Sequence, residues 1–180
     1  MSEYFHVFVP GALVNQPGSA VLAEGQALDL TTVYPWAPTS ATQLVREWFP
    51  NGMTQHGIRY LLAADAQIER DRTIELVWEM VRRSEFHERP SRMDSIFAWE
   101  TLDDAKAFQA RHRAHFQTLI YRVDGEARHR ANMPLLSAFA GAGVSGIQDA
   151  RAYWRGERGM AAELWEYLLA PPVTVLAHVP

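Results

Sequence analysis

The chain opens on alternation. In EYFHVFV, residues 3–9, Tyr4, His6 and Phe8 fall on one side of an extended backbone and Phe5, Val7 and Val9 on the other, and the run stops at Pro10-Gly11. Aromatic and β-branched residues with a period of two predict a strand. The alternation then dissolves. Pro17-Gly18, Gly25, Pro35, Pro38, Pro50 and Gly52 punctuate a stretch reaching Gly57, which predicts turns and short elements. An irregular region this long in a compact domain is commonly functional or wraps an edge. From Ile58 to Glu85 the period lengthens. Ile74, Val77, Trp78 and Val81 keep i, i+3, i+4, i+7 spacing with charges on the other face, which predicts a helix.

The second half returns to short runs. Residues 95–99 predict a strand with Ser95, Phe97 and Trp99 on one face, followed by a helix capped at Thr101 or Asp103 and reaching His112. TLIYRV predicts a strand closed by Asp124-Gly125; GAGVSG reads as a connector before a short helix in which Ile147, Ala150 and Trp154 share a side. A second loop, RGERGMAA, leads to ELWEYLLAPPVTVLAHV, where Pro171-Pro172 is expected to separate two short strands. With no internal repeat, linker or low-complexity tail, residues 1–180 are expected to form one α+β domain. It would hold two mainly antiparallel β-sheets, with both termini in strands.

Composition narrows the function classes. The chain has 180 residues, 48% hydrophobic and 21% charged, enough for a real core. A net charge of −4 argues against a broad cationic surface for duplex nucleic acid, although Arg82, Arg83, Arg89 and Arg92 gather in one region. The absence of cysteine excludes disulfides, thiolate nucleophiles and cysteine metal sites. No apolar run approaches a membrane span and no basic leader precedes one, so a soluble, cytoplasmic protein without membrane contact is expected.

Few local motifs carry chemistry. His112 and His115 lie three apart but lack an HExxH frame, so a solvated helix end is expected and no metal. GAGVSG has its glycines at the wrong positions for a dinucleotide loop, and no nucleophile-elbow, Walker or kinase signature occurs. Three places remain: His6, the face of Ser95, Phe97 and Trp99, and Glu166 directly before Tyr167-Leu168-Leu169. A carboxylate in an apolar strand is costly unless paired or used. Taken singly, His6 reads as a hydrogen-bonded strand histidine, Ser95 as a local cap and Glu166 as the partner of an arginine.

In this order the residues resemble the ADP-ribosyltransferase-like superfamily, the group that includes rifampicin ADP-ribosyltransferase, DNA ADP-ribosyltransferase toxins and RNA 2′-phosphotransferase. YFHVF is similar to its first strand, SIFAWETLDDAKAF to its strand-then-helix segment and EYLLAPPVTVLAHV to its last strand pair. VLAEGQALDL is similar to the short helix and glycine turn after the first strand. The resemblance implies a split NAD-binding cleft between the sheets with flanking helices, and NAD as co-substrate. It implies that His6 bonds a ribose hydroxyl and Glu166 is the catalytic acid. Phe97 stands where an aromatic flanks nicotinamide, but lacks the tyrosine hydroxyl; Ser95 or Trp99 would supply the polar contact. Arg89 or Arg92 would hold the pyrophosphate, because guanidinium matches phosphate oxygens. Leu164 replaces the second acid or amide of the arginine-specific toxins, so that branch is not matched.

The implied activity is ADP-ribosyl transfer from NAD to an unidentified protein, nucleic acid or small molecule, serving toxicity, defence or modification of a metabolite, with an antitoxin or other partner protein. Alternatives are an inactive module of the same shape that binds a nucleotide or a protein, a phosphotransferase acting on RNA 2′-phosphate, and an unrelated scaffold.

Overall fold

Two long strands, β4 (Leu119–Asn132) and β5 (Trp165–Val179), pair antiparallel along nearly their whole length. The computed structural model describes residues 3–10, 21–62, 69–137, 143–159 and 162–180. β1 (Glu3–Phe8) lies along the first half of β4; β3 (Ile96–Ala98) lies along the first half of β5, and β2 (Ala27–Leu28) along its second half. Just past β3, Trp99 and Phe5 exchange N–H···O=C bonds at 2.8 Å. The path β1–β4–β5–β3 therefore returns to β1, and one antiparallel sheet curls on itself where two sheets were expected.

The strand breaks read from the sequence are bulges. Asp124-Gly125 does not end β4; the register against β5 slips between Asp124 and Glu126. The packing is tight at Gly125, where a Cβ would lie 3.0 Å from the Val173 side chain. Pro171-Pro172, a cis pair, occupies the same slip on β5, where the ladder asks nothing of a missing N–H.

Five helices are present among the described residues. α1 (Thr39–Trp48) forms inside the stretch expected to be irregular, and α2 (Gln55–Leu61) and α3 (Glu69–Glu85) divide the long helical segment. α4 (Leu102–His112) starts as read: Thr101 Oγ1 accepts the Asp104 N–H at 3.1 Å, and Asp103 and Asp104 face the positive helix end. α5 (Gly143–Arg155) takes up Gly143 and Gly146 of the expected connector; Gly141, Ala142 and Pro17-Gly18 fall outside the described residues. VLAEGQALDL holds a turn at Gly25 and β2, without a helix.

Alternation along β5 decides what faces what. Leu168 joins Ala131 beneath Ile74, Trp78 and Val81 of α3 and Ala150, Tyr153 and Trp154 of α5. Leu169 faces the other side, with Phe8, Tyr121, Val123, Val173 and Val175. Trp154 Nε1 donates to the Trp78 carbonyl at 2.9 Å, locking the two helices together. A third group, Trp99, Phe108, Ile120 and Leu164, seats α4. Glu166 lies two residues before Leu168 and so points under the helices. α2 is pressed against the 3-10 turn Arg92–Asp94, where a Cβ on Gly57 would stand 2.4 Å from the Met93 carbonyl oxygen.

Two stability predictions follow from this packing. Gly57→Ala forces α2 off the turn and should cost about 1–3 kcal/mol, lowering the melting temperature by roughly 2–12 °C. His129 is buried with Nε2 3.1 Å from the Tyr153 carbonyl and its ring stacked on Trp154. Burial, helped by the charges of Arg89 and Arg92, outweighs that bond and pushes His129 from 6.5 down to about 4. The unfolded chain thus binds the extra proton in that window. The His129 contribution is complete above pH 6.5 and is lost as pH falls towards 4. His129→Gln should melt with a shallower pH dependence over that window than wild type; an unchanged slope would contradict the assignment.

Candidate active site

The charges on α3 do not all face water. Glu75 and Glu79 are 5% and 1% exposed, and each fastens the segment that follows the helix. Glu79 accepts from Arg82 at 2.7 and 2.9 Å, from Arg83 at 2.7 Å and from Ser91 Oγ at 2.8 Å. Arg82 also donates to the Arg89 carbonyl at 3.0 Å, and Ser95 Oγ donates to the Ser91 carbonyl at 2.6 Å. These bonds fix the approach of the chain to Arg92. Ser95 and Arg89 thus serve the scaffold of this turn; neither lines the cavity described next.

That cavity, about 370 Å³, opens where β1 and β3 part beyond the Phe5–Trp99 bridge. His6, Val7, Phe97, Trp99 and Glu166 line it from the sheet, Arg92 from the turn, Glu75 from α3, and His56, Arg59 and Tyr60 from α2. The structure therefore brings together His6, Arg92, Phe97, Trp99 and Glu166 of the residues singled out in the sequence. His56, Glu75, Tyr60, Arg59 and Arg113 were missed. The signal for three of them was present: His56, Arg59 and Tyr60 follow i, i+3, i+4 spacing and face one way on a helix.

Arg92 organises the inner wall. Its Nε and Nη2 grip Glu75 in a bidentate pair at 2.8 and 2.9 Å, and Nη1 donates to Glu166 Oε1 and to the Tyr153 hydroxyl. Tyr153 in turn donates to Glu166 Oε1 at 2.7 Å. The expected partner arginine of Glu166 thus exists. Both bonds fall on Oε1, and Oε2 has no hydrogen-bond partner among the described residues. Burial alone would raise the Glu75 carboxyl, but Arg92 and His56 outweigh it and hold it well below the usual carboxylate range. Burial would lower Arg92; Glu166 and Glu75 instead keep it charged far above its ordinary value. Two carboxylates against one guanidinium leave the inner wall with one excess negative charge.

The histidines stay neutral. Burial lowers His6, more than the bond from Nδ1 to the Phe97 carbonyl at 2.7 Å raises it. A carbonyl only accepts, so Nδ1 carries the proton and Nε2 is an acceptor without a partner among the described residues. His56 is lowered by burial despite Glu75, whose Oε1 lies 3.0 Å from Nε2; the approach is off the line of a hydrogen bond and acts through charge. The Phe97 ring is flanked by the Arg92 guanidinium at 4.5 Å and the His56 ring at 4.5 Å.

The mouth is different in sign. Arg59, Arg70 and Arg113 line it with Asp71, and Arg59 and Arg113 have no carboxylate within ion-pair distance among the described residues. Burial lowers Arg113, and Arg59 beside it adds to that, against the opposing pull of Tyr60 and Asp71. Among the described residues no group of three metal-ligating side chains comes together, and no helix is long and apolar enough to cross a membrane.

Removing Arg92 leaves two buried carboxylates facing each other. Arg92→Met should therefore cost about 3–5 kcal/mol in a denaturant melt; a loss below about 1 kcal/mol would contradict the bridging role.

No curated protein matches the chain. Residues 46–180 match a family described as Protein of unknown function (DUF2441), a span that runs from α1 through β5 and holds His56, Glu75, Arg92, Tyr153 and Glu166. The chain belongs to the DUF2441 family.

Proposed function

We propose that the protein is an NAD-dependent ADP-ribosyltransferase that breaks the nicotinamide–ribose bond and passes ADP-ribose to an acceptor. One observation carries the reading: an imidazole nitrogen, His6 Nε2, and a carboxylate oxygen, Glu166 Oε2, both without a partner among the described residues, belong to residues lining the same cavity at the parting of two strands. An acceptor nitrogen suits a ribose hydroxyl, which donates to it. A fixed carboxylate suits the positive charge that develops at C1′ as the glycosidic bond lengthens.

The surrounding charges support the same orientation. The inner wall, with its excess negative charge, favours the cationic nicotinamide ring, and the mouth, with Arg59 and Arg113, favours the pyrophosphate. This reassigns the phosphate role. Arg92, saturated by Glu75 and Glu166, is a positioning residue for Glu166, and Arg89 lies off the cavity. Val7 turns its N–H and C=O to the same side of β1 as Phe5, beyond the point where Trp99 pairs with the strand. A peptide group with no partner on that edge among the described residues offers the donor and the acceptor that a carboxamide needs. The cavity volume of about 370 Å³ fits the nicotinamide riboside end of NAD, with the remainder passing over the mouth.

One observation favours a second reading. Glu166 already holds an ion pair with Arg92, as a purely structural carboxylate would, which suits an inactive nucleotide-binding module. The two readings separate on turnover. Glu166→Gln should lower nicotinamide release from NAD at least about 10²-fold with the melting temperature kept within a few degrees. Wild-type turnover in that variant would remove Glu166 from the chemistry, and NAD binding without release by the wild type would establish the inactive module.

A further inference from the structure

We infer that His56, backed by Glu75, is the general base that takes the proton of the acceptor, and that the acceptor is therefore a hydroxyl group; this rests on the transferase reading above. α2 turns His56 into the cavity, where the rings of Phe97 and Tyr60 hold it at 4.5 and 4.6 Å between centroids. Its Nε2 lies 3.0 Å from Glu75 Oε1. Glu75 is fixed and ionised by its two bonds from Arg92, and a ring lone pair turned to an ionised carboxylate at 3.0 Å would be repelled by it, so charge alone places the proton on Nε2. Nδ1 is then the basic nitrogen, and among the described residues no hydrogen bond reaches it.

A carboxylate whose charge sets the tautomer of a histidine, with no bond to the other nitrogen among the described residues, is the arrangement of a base made ready for proton transfer. His56 gives no proton to the leaving group, because nicotinamide leaves as a neutral molecule. It serves the incoming group. A hydroxyl is a weak nucleophile until its proton departs, and an imidazole is strong enough to take that proton as the new bond forms. A guanidinium is too weak an acid for this base, and a thiolate or carboxylate attacks without one. In the step, the C1′–N bond breaks and its electron pair leaves with nicotinamide. A lone pair of the acceptor oxygen forms the C1′–O bond, and the hydroxyl proton passes to His56 Nδ1 and on to solvent. Without an acceptor, water follows the same course and gives ADP-ribose.

Azide distinguishes this role, since an anion needs no base. Nicotinamide release from NAD in water should fall about 10²-fold in His56→Ala. Sodium azide should restore it, with azido-ADP-ribose detected by mass spectrometry, whereas Glu166→Gln should stay slow with azide. His56→Gln carries the same expectation should the alanine variant not fold. A His56 variant that turns over in water at the wild-type rate would overturn the assignment. So would one that is folded, binds NAD and is slow with or without azide. If the wild type releases no nicotinamide at all, the transferase reading fails and the base role with it, a result distinct from either of these.

Discussion

Arg92 bridges Glu75 of α3 and Glu166 of β5, two carboxylates that could not share this interior without it. Burying one ionised carboxylate is expensive, and burying two near each other is tolerable only if a cation lies between them with its hydrogen bonds filled. Nearly everything around the site serves that bridge. Glu79 draws Arg82, Arg83 and Ser91 together so that the chain reaches Arg92 in one place. Tyr153 joins from α5, and the Trp154–Trp78 bond sets α5 on α3. A structural bridge that left all carboxylate oxygens filled would end there. This one leaves Glu166 Oε2 at the cavity without a partner among the described residues.

The curl of the sheet supplies the space. β1 and β3 meet at Phe5 and Trp99 and then separate, with His6 reaching across to the Phe97 carbonyl. A sheet that zipped further would close the opening; one without the bridge would let β1 swing away. Burial at the inner end keeps His6 and His56 neutral, while arginines gather at the mouth. The resulting polarity, negative inside and positive outside, is a property of the fold as a whole and not of any one motif.

What was legible in the sequence is what repeats locally. The alternation of β1 placed His6, and Glu166 two residues from Leu168 implied a carboxylate turned inward. The spacing of Ile74, Trp78 and Val81 marked the buried side of α3. What was illegible depends on partners far along the chain. Arg92 meets Glu75 17 residues away and Glu166 74 residues away, and nothing local to ERPSR distinguishes it from Arg89. Asp124-Gly125 and Pro171-Pro172 carry the composition of turns, yet they face each other in one bulged register slip that keeps both long strands whole. Glu75 and Glu79 read as solvent-facing charges because their burial comes from the loop folded over them. His56 was passed over because the helix was started at Ile58.

The most direct measurement is a crystal structure of the protein soaked with NAD. The geometry predicts a ribose hydroxyl within hydrogen-bond distance of His6 Nε2, and C1′ beside Glu166 Oε2. Arg92 should still span Glu75 and Glu166, with the phosphates against Arg59 and Arg113. A nucleotide bound elsewhere, or one whose ribose lies away from both His6 and Glu166, would contradict the transferase reading and leave the Arg92 bridge as a structural feature alone.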